Sequence, residues 1–273
     1  MKTIRLVMLT AMAGIAAHAD FSYITVTKSP AGERTSKHYI KGQKLVTDDG
    51  NTMTIMDLDA QTMTTVNKTQ KTYTVTSFGD LAAKAGAAGA SVNADIKKTG
   101  QHQNINGFDA EEMVMTMAMD TSQMQQRPGS KAPPMQMQME MHMWFASDVP
   151  GINEMHDFYV KNADRMPWAA MAQGNSNMAE LQRKMATMHG IPVRTVMKLG
   201  SANPQQQAQM DQARARIEEM KKQGGPQAAM ADQMLARMGG GSNDMVSDSS
   251  GFSAAPVSDS VFAIPADYRK VDK

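Results

Sequence analysis

The chain has no cysteine among its 273 residues. Disulfides, thiolate metal sites and thiol nucleophiles are therefore excluded together. Aromatic residues make up only 5% of the chain, with 2 tryptophans, so the interior cannot be built mainly on stacked rings. Neither sign of charge dominates: 28 Lys and Arg face 27 Asp and Glu. Without a basic cluster, nucleic acid and anionic membrane surfaces are not expected partners. A G-x-S-x-G elbow, an H-E-x-x-H helix, a P-loop and a G-x-G-x-x-G turn are all missing. The histidines beyond the N-terminal region are His38, His102, His142, His156 and His189, and no two have metal-ligand spacing. These absences lead us to expect no enzymatic activity and no cofactor. Four short acidic stretches do not change this: Glu154-Met155-His156-Asp157 reads as a solvated helix face, and the pairs Asp48-Asp49, Glu111-Glu112 and Glu218-Glu219 read as turns or helix surfaces.

Long apolar runs are also scarce. The one candidate, Leu6 to Ala17, follows Lys2 and Arg5 and precedes Ala17-His18-Ala19. This is the pattern of a secretory signal cleaved after Ala19, with an apolar run too short to anchor in a bilayer. No cysteine follows it for acylation. The expected mature chain is soluble, exported to the periplasm and begins at Asp20. Taking Lys2 and Arg5 from the 28 basic residues leaves 26 against 27 acidic ones, a formal charge of −1. That length is enough to bury a core without covalent staples.

What the chain has in excess is methionine, 29 residues of it. In Met135-Gln136-Met137-Gln138-Met139-Glu140-Met141-His142-Met143-Trp144, methionine occupies every second position. A strand there puts Met135, Met137, Met139, Met141 and Met143 on one face. Gln136, Gln138, Glu140, His142 and Trp144 fall on the other. Met113-Val114-Met115-Thr116-Met117-Ala118-Met119 repeats the device upstream.

Around these runs the pattern is one of short strands and turn residues. Strands are expected at 21–27, 35–40, 44–47, 52–58, 62–66, 72–77, 94–103, 108–119, 135–146, 191–199, 245–252 and 261–271. Asp48-Asp49-Gly50-Asn51 and Asn106-Gly107 are hairpin turns. Helices are expected at 78–90, 153–165 and 177–188, with a helical insertion at about 203–241 made of 204–222 and 226–238. Within it, Met210, Ile217 and Met220 fall near one stripe, as do Met230, Met234 and Met238. Such a stripe packs on the sheet, closes over it as a lid, or forms a docking surface for an envelope protein partner. The fold class is α+β: a single antiparallel β-rich domain spanning 20–273.

Several phrases resemble domain-of-unknown-function family 4412. They are Lys41-Gly42-Gln43-Lys44, Thr54-Ile55-Met56-Asp57-Leu58-Asp59, Lys71-Thr72-Tyr73, Asn106-Gly107-Phe108 with Glu112, and Met143-Trp144 with Asp148-Val149-Pro150-Gly151. The ending Val261 to Val271 fits as well. The resemblance covers nearly the whole mature chain, its motifs are short and structural, and it implies no catalytic residue. The family is in turn similar in architecture to the lipoprotein carriers LolA and LolB. That likeness implies a curved antiparallel half-barrel with helices on its concave side and acyl chains held between the two.

Four readings of the methionines follow. They fill the core, as an unbranched and pliable side chain does. They line an adaptable pocket for a hydrophobic small molecule or envelope lipid, with Met113, Met115, Met117, Met119, Met135, Met137, Met139, Met141 and Met143 as the ligand-binding residues. They bind Cu(I) or Ag(I) through Met137, Met139 and Met141, whose i, i+2 spacing is about 6.6–6.8 Å along a strand. His142 cannot easily join such a site, since it points to the opposite face. Or they are oxidised sacrificially. The pocket, in an exported protein without enzymatic activity, is the reading the resemblance favours.

Overall fold

The computed structural model describes residues 20–29, 32–87, 91–120, 136–167, 190–201 and 244–272, with isolated positions at 184, 188, 208, 212–213, 215–217, 219–220 and 222. The expected signal segment, the helix at 226–238 and most of the helices at 177–188 and 204–222 lie outside the described residues. The described positions between 208 and 222 are helical, as expected of the insertion.

Twelve strands form one open, curved sheet. They are β1 (Phe21–Ser29), β2 (Gly32–Lys41), β3 (Lys44–Asp48), β4 (Thr52–Asp57), β5 (Thr62–Asn67), β6 (Thr72–Ser77), β7 (Ser91–Ile105), β8 (Phe108–Asp120), β9 (Gln136–Ala146), β10 (Ile191–Ser201), β11 (Met245–Ser253) and β12 (Arg269–Lys270). Their order is β12-β6-β5-β4-β3-β2-β1-β11-β10-β9-β8-β7. Every pairing is antiparallel except that of β12 with β6. Among the fully described segments two helices stand beside the sheet, α1 (Phe78–Ala87) and α2 (Ile152–Asn162), the second followed by a 3-10 turn at Ala163–Arg165. Fold class and strand count thus match the sequence-based expectation.

Local chemistry sets the hairpins. Asn106 and Gly107 both take positive φ, 55° and 90°, the pair of values a type I′ turn requires between β7 and β8. In the β3–β4 turn, the Asp48 carboxylate accepts the Gly50 N–H and the Asp49 carboxylate accepts those of Asn51 and Thr52. Helix α1 starts where Ser77 accepts the Asp80 N–H at 3.0 Å, a serine N-cap.

Alternation then sorts side chains between the two faces of the sheet. Registers align Phe21 with Ile40, Ile40 with Leu45, Leu45 with Met56 and Met56 with Met63. This is the helix-bearing face: Phe78 of α1 and Met155 and Phe158 of α2 join Phe21, Ile40 and Leu58 in the main core. On the reverse face Val46, Met53, Ile55 and Val66 form a second cluster.

The reverse cluster is covered by the C-terminal segment, and here the expectation of a strand at 261–271 is corrected. The chain makes a 3-10 turn at Asp259–Phe262, and only Arg269 and Lys270 pair with β6. Val261, Phe262, Ile264 and Tyr268 pack down onto the cluster instead. Adjacent apolar residues and Pro265 cannot alternate between two faces or supply every ladder N–H, so the segment lies across the sheet as a strap.

Candidate functional site

The methionine runs occupy β8 and β9, and the register between these strands pairs them directly. Met113 faces Met143, Met115 faces Met141, Met117 faces Met139 and Met119 faces Met137. Directly opposed residues hold their Cβ atoms about 4.5–5.5 Å apart, so the two runs make one surface. Pairing with β10 adds Thr195 beside Met143, Met197 beside Met141 and Leu199 beside Met139. Pairing of β10 with β11 sets Met245 beside Met197 and Ser247 beside Thr195. Ser247 in turn bonds Thr27 of β1 through their hydroxyls at 2.9 Å.

Burial falls along this surface from one end to the other. Met113, Met115 and Met143 are core residues, only 2%, 7% and 6% exposed. Met117, Met139 and Met141 are half-buried. Met115 and Met143 pack with Ile96, and Ala94, Met117, Met141, Phe145 and Met188 lie against them. Of the remaining predicted residues, Met135 lies outside the described residues, while Met119 and Met137 are placed by backbone pairing. Met197 and Met245 were missed by the sequence reading. Each stands alone in its strand, and only the register brings it to the methionine surface.

The opposite side of the same strands carries a polar row. His142 lies between two carboxylates: its Nδ1 is 2.7 Å from Glu112 Oε1 and its Nε2 is 2.7 Å from Glu140 Oε1. Thr99 donates its hydroxyl to Glu112 Oε2 at 2.8 Å, and Lys198 Nζ is 3.8 Å from Glu140 Oε1. The bond from His142 is the chief reason that the Glu112 carboxyl is held below its ordinary range. The Trp144 indole is stacked beside His142, with centroids 6.1 Å apart. The expectation that Glu111-Glu112 sits at a turn or helix surface is corrected by this arrangement: both residues are in β8 and Glu112 is 5% exposed. Burial of that carboxylate is tolerated because every oxygen has a donor.

A cleft of about 230 Å³ lies under the C-terminal strap, lined in part by Tyr39, Met53, Lys68 and Tyr268. None of the predicted methionines lines it. Among the described residues no group of three His, Asp or Glu is arranged to hold a metal ion, and no helix is long and apolar enough to cross a membrane.

Comparison with known families adds one finding. The family model described as "Domain of unknown function (DUF4412)" matches residues 24–211, more than half of the chain. No curated protein matches it. The matched span runs from β1 through the methionine strands and β10, and the chain belongs to the DUF4412 family.

Proposed function

We propose that this is an exported, non-enzymatic protein whose methionine surface binds a hydrophobic ligand, the acyl chain of an envelope lipid being the best fit. The observation that carries the reading is the register of β8, β9 and β10, which gathers methionines from three strands on one face of an open sheet. Unbranched, polarizable side chains repack around guests of different length, and their half-buried end gives a guest somewhere to begin. Each methylene taken from water contributes about 0.8 kcal/mol. A chain lying across several strands therefore gains enough to bind without any specific polar contact. A LolA-like half-barrel works in this way, and the open curved sheet supports the analogy at the level of fold.

The test is native mass spectrometry of the mature protein purified from its own cell envelope, followed by titration with a fluorescent fatty acid. A co-purifying mass in the lipid range, lost on delipidation, supports the reading. So does fatty-acid binding that Met139→Asp abolishes, since that change places a charge on the half-buried end. A protein free of adducts that also ignores the fatty acid would refute it.

A further inference from the structure

We propose a second use of the same strands: a thioether site for a soft monovalent cation, Cu(I) or Ag(I), centred on Met115, Met141 and Met197. This goes beyond lipid binding and does not rest on it.

The site comes from the register. Met115 of β8 opposes Met141 of β9, Met141 opposes Met197 of β10, and Met197 opposes Met245 of β11. One row perpendicular to the strands thus carries methionine in four neighbouring strands. The rows on either side do not: one reads Met117, Met139 and Leu199, the other Met113, Met143, Thr195 and Ser247. An apolar wall needs apolar residues at these places, but it does not need the same residue in four consecutive strands.

Spacing across the strands suits a single ion better than spacing along one of them. Opposed Cβ atoms are about 4.5–5.5 Å apart, against about 6.6–6.8 Å for residues i and i+2 of one strand. Three flexible side chains from adjacent strands can therefore turn their sulfurs inward around the middle one, Met141. A further thioether is close by, because Met188, from a separate segment, packs in the same cluster as Met115 and Met141. The row runs from the core at Met115 to half-buried positions at Met141, Met197 and Met245, so one end is sealed and the other accessible.

Donor chemistry selects the ion. His142 bonds both Glu112 and Glu140 on the other face of the sheet, and all three are directed away from the row. What remains is neutral sulfur, which favours Cu(I) and Ag(I) over Zn(II), Mg(II) or Ca(II).

The experiment is titration of the full mature chain with Ag(I) in chloride-free buffer by native mass spectrometry, and with Cu(I) against a chromogenic chelator. The expected result is one tight equivalent, weakened at least about tenfold in the double variant Met141→Leu/Met197→Leu by loss of two soft ligands. Met53→Leu on the reverse face keeps full affinity. If the double variant does not fold, the single Met197→Leu at a half-buried position serves, with the same loss expected. Absence of a tight equivalent, or equal weakening by Met53→Leu, overturns the site. Fatty-acid binding by the unsubstituted chain is measured in parallel without metal, so failure of either proposal is seen separately.

Discussion

Replacing His142 by leucine tests the polar row on the reverse side of the methionine strands. The substitution removes both imidazole bonds, 2.7 Å to Glu112 and 2.7 Å to Glu140. Glu140 is half exposed and keeps Lys198 nearby, so its loss is minor. Glu112 is different: its side chain is 7% exposed, and it would retain only the Thr99 hydroxyl. A hydrogen bond to a charged group is worth about 1.5–3 kcal/mol, and breaking a fully buried ion pair costs about 3–5 kcal/mol. Because the His142 side chain is 21% exposed, water reaches one side of the gap, and the lower range applies. We expect a loss of about 2–3 kcal/mol, or about 4–12 °C in thermal midpoint for a domain of this size. The double variant Glu112→Leu/His142→Leu should recover much of that loss, since no buried charge is then left unpaired. Acid should narrow the gap between wild type and His142→Leu. Glu112 is held below its ordinary 4.5, first by His142, so its contribution is fully present above that value and lost as pH falls through the lowered one. The assay is urea unfolding from pH 7 to pH 3. A single variant within about 0.5 kcal/mol of wild type, with the double variant simply additive, would refute the reasoning.

Two further predictions concern the core. His38 stacks on Tyr23 with centroids 4.4 Å apart and 12° between the planes, and burial lowers its pKa from 6.5 to about 4. Between those two values the unfolded chain binds the extra proton, so stability is lost as pH falls from 6.5 to 4. His38→Phe should flatten that part of the stability profile, and the His38 imidazole resonances of wild type should show no titration near pH 6. Gly190 has φ +114°, and a Cβ there would lie 2.5 Å from the Ala146 carbonyl oxygen. Gly190→Ala should therefore cost at least about 2 kcal/mol by urea unfolding, because both conformation and space oppose it. A neutral result would mean that the entry to β10 yields easily.

The sequence made the methionine faces of β8 and β9 legible because alternation is a local signal carried by each strand alone. It could not supply Met197 or Met245, whose place in the row depends on pairings made across long connections. The same limit hid the polar row. Glu112 and His142 lie 30 residues apart and meet only through the β8–β9 register. The alternation did hold a usable hint, since Glu112, Glu140 and His142 all fall at even-numbered positions, opposite in parity to the methionines. At the C-terminus the expected strand became a strap. The adjacent pair Val261-Phe262 already broke the two-residue period, and that signal outweighs the β-forming character of the segment.

The strand order also dictates when the sheet can be completed. β1 to β6 are consecutive neighbours, as are β7 to β10, and the two runs join only through β11, which pairs with β1 on one side and β10 on the other. At that seam Thr25 meets Ser249 across 224 residues of chain. Closing so long a loop adds little entropy cost over closing a shorter one. The difficulty lies in time: a chain delivered from its N-terminus leaves the β1 edge bare until β11 has emerged, open to pairing with any other strand. A chain stopped before Met245 would be two finished meanders with raw edges, not a smaller version of the same protein.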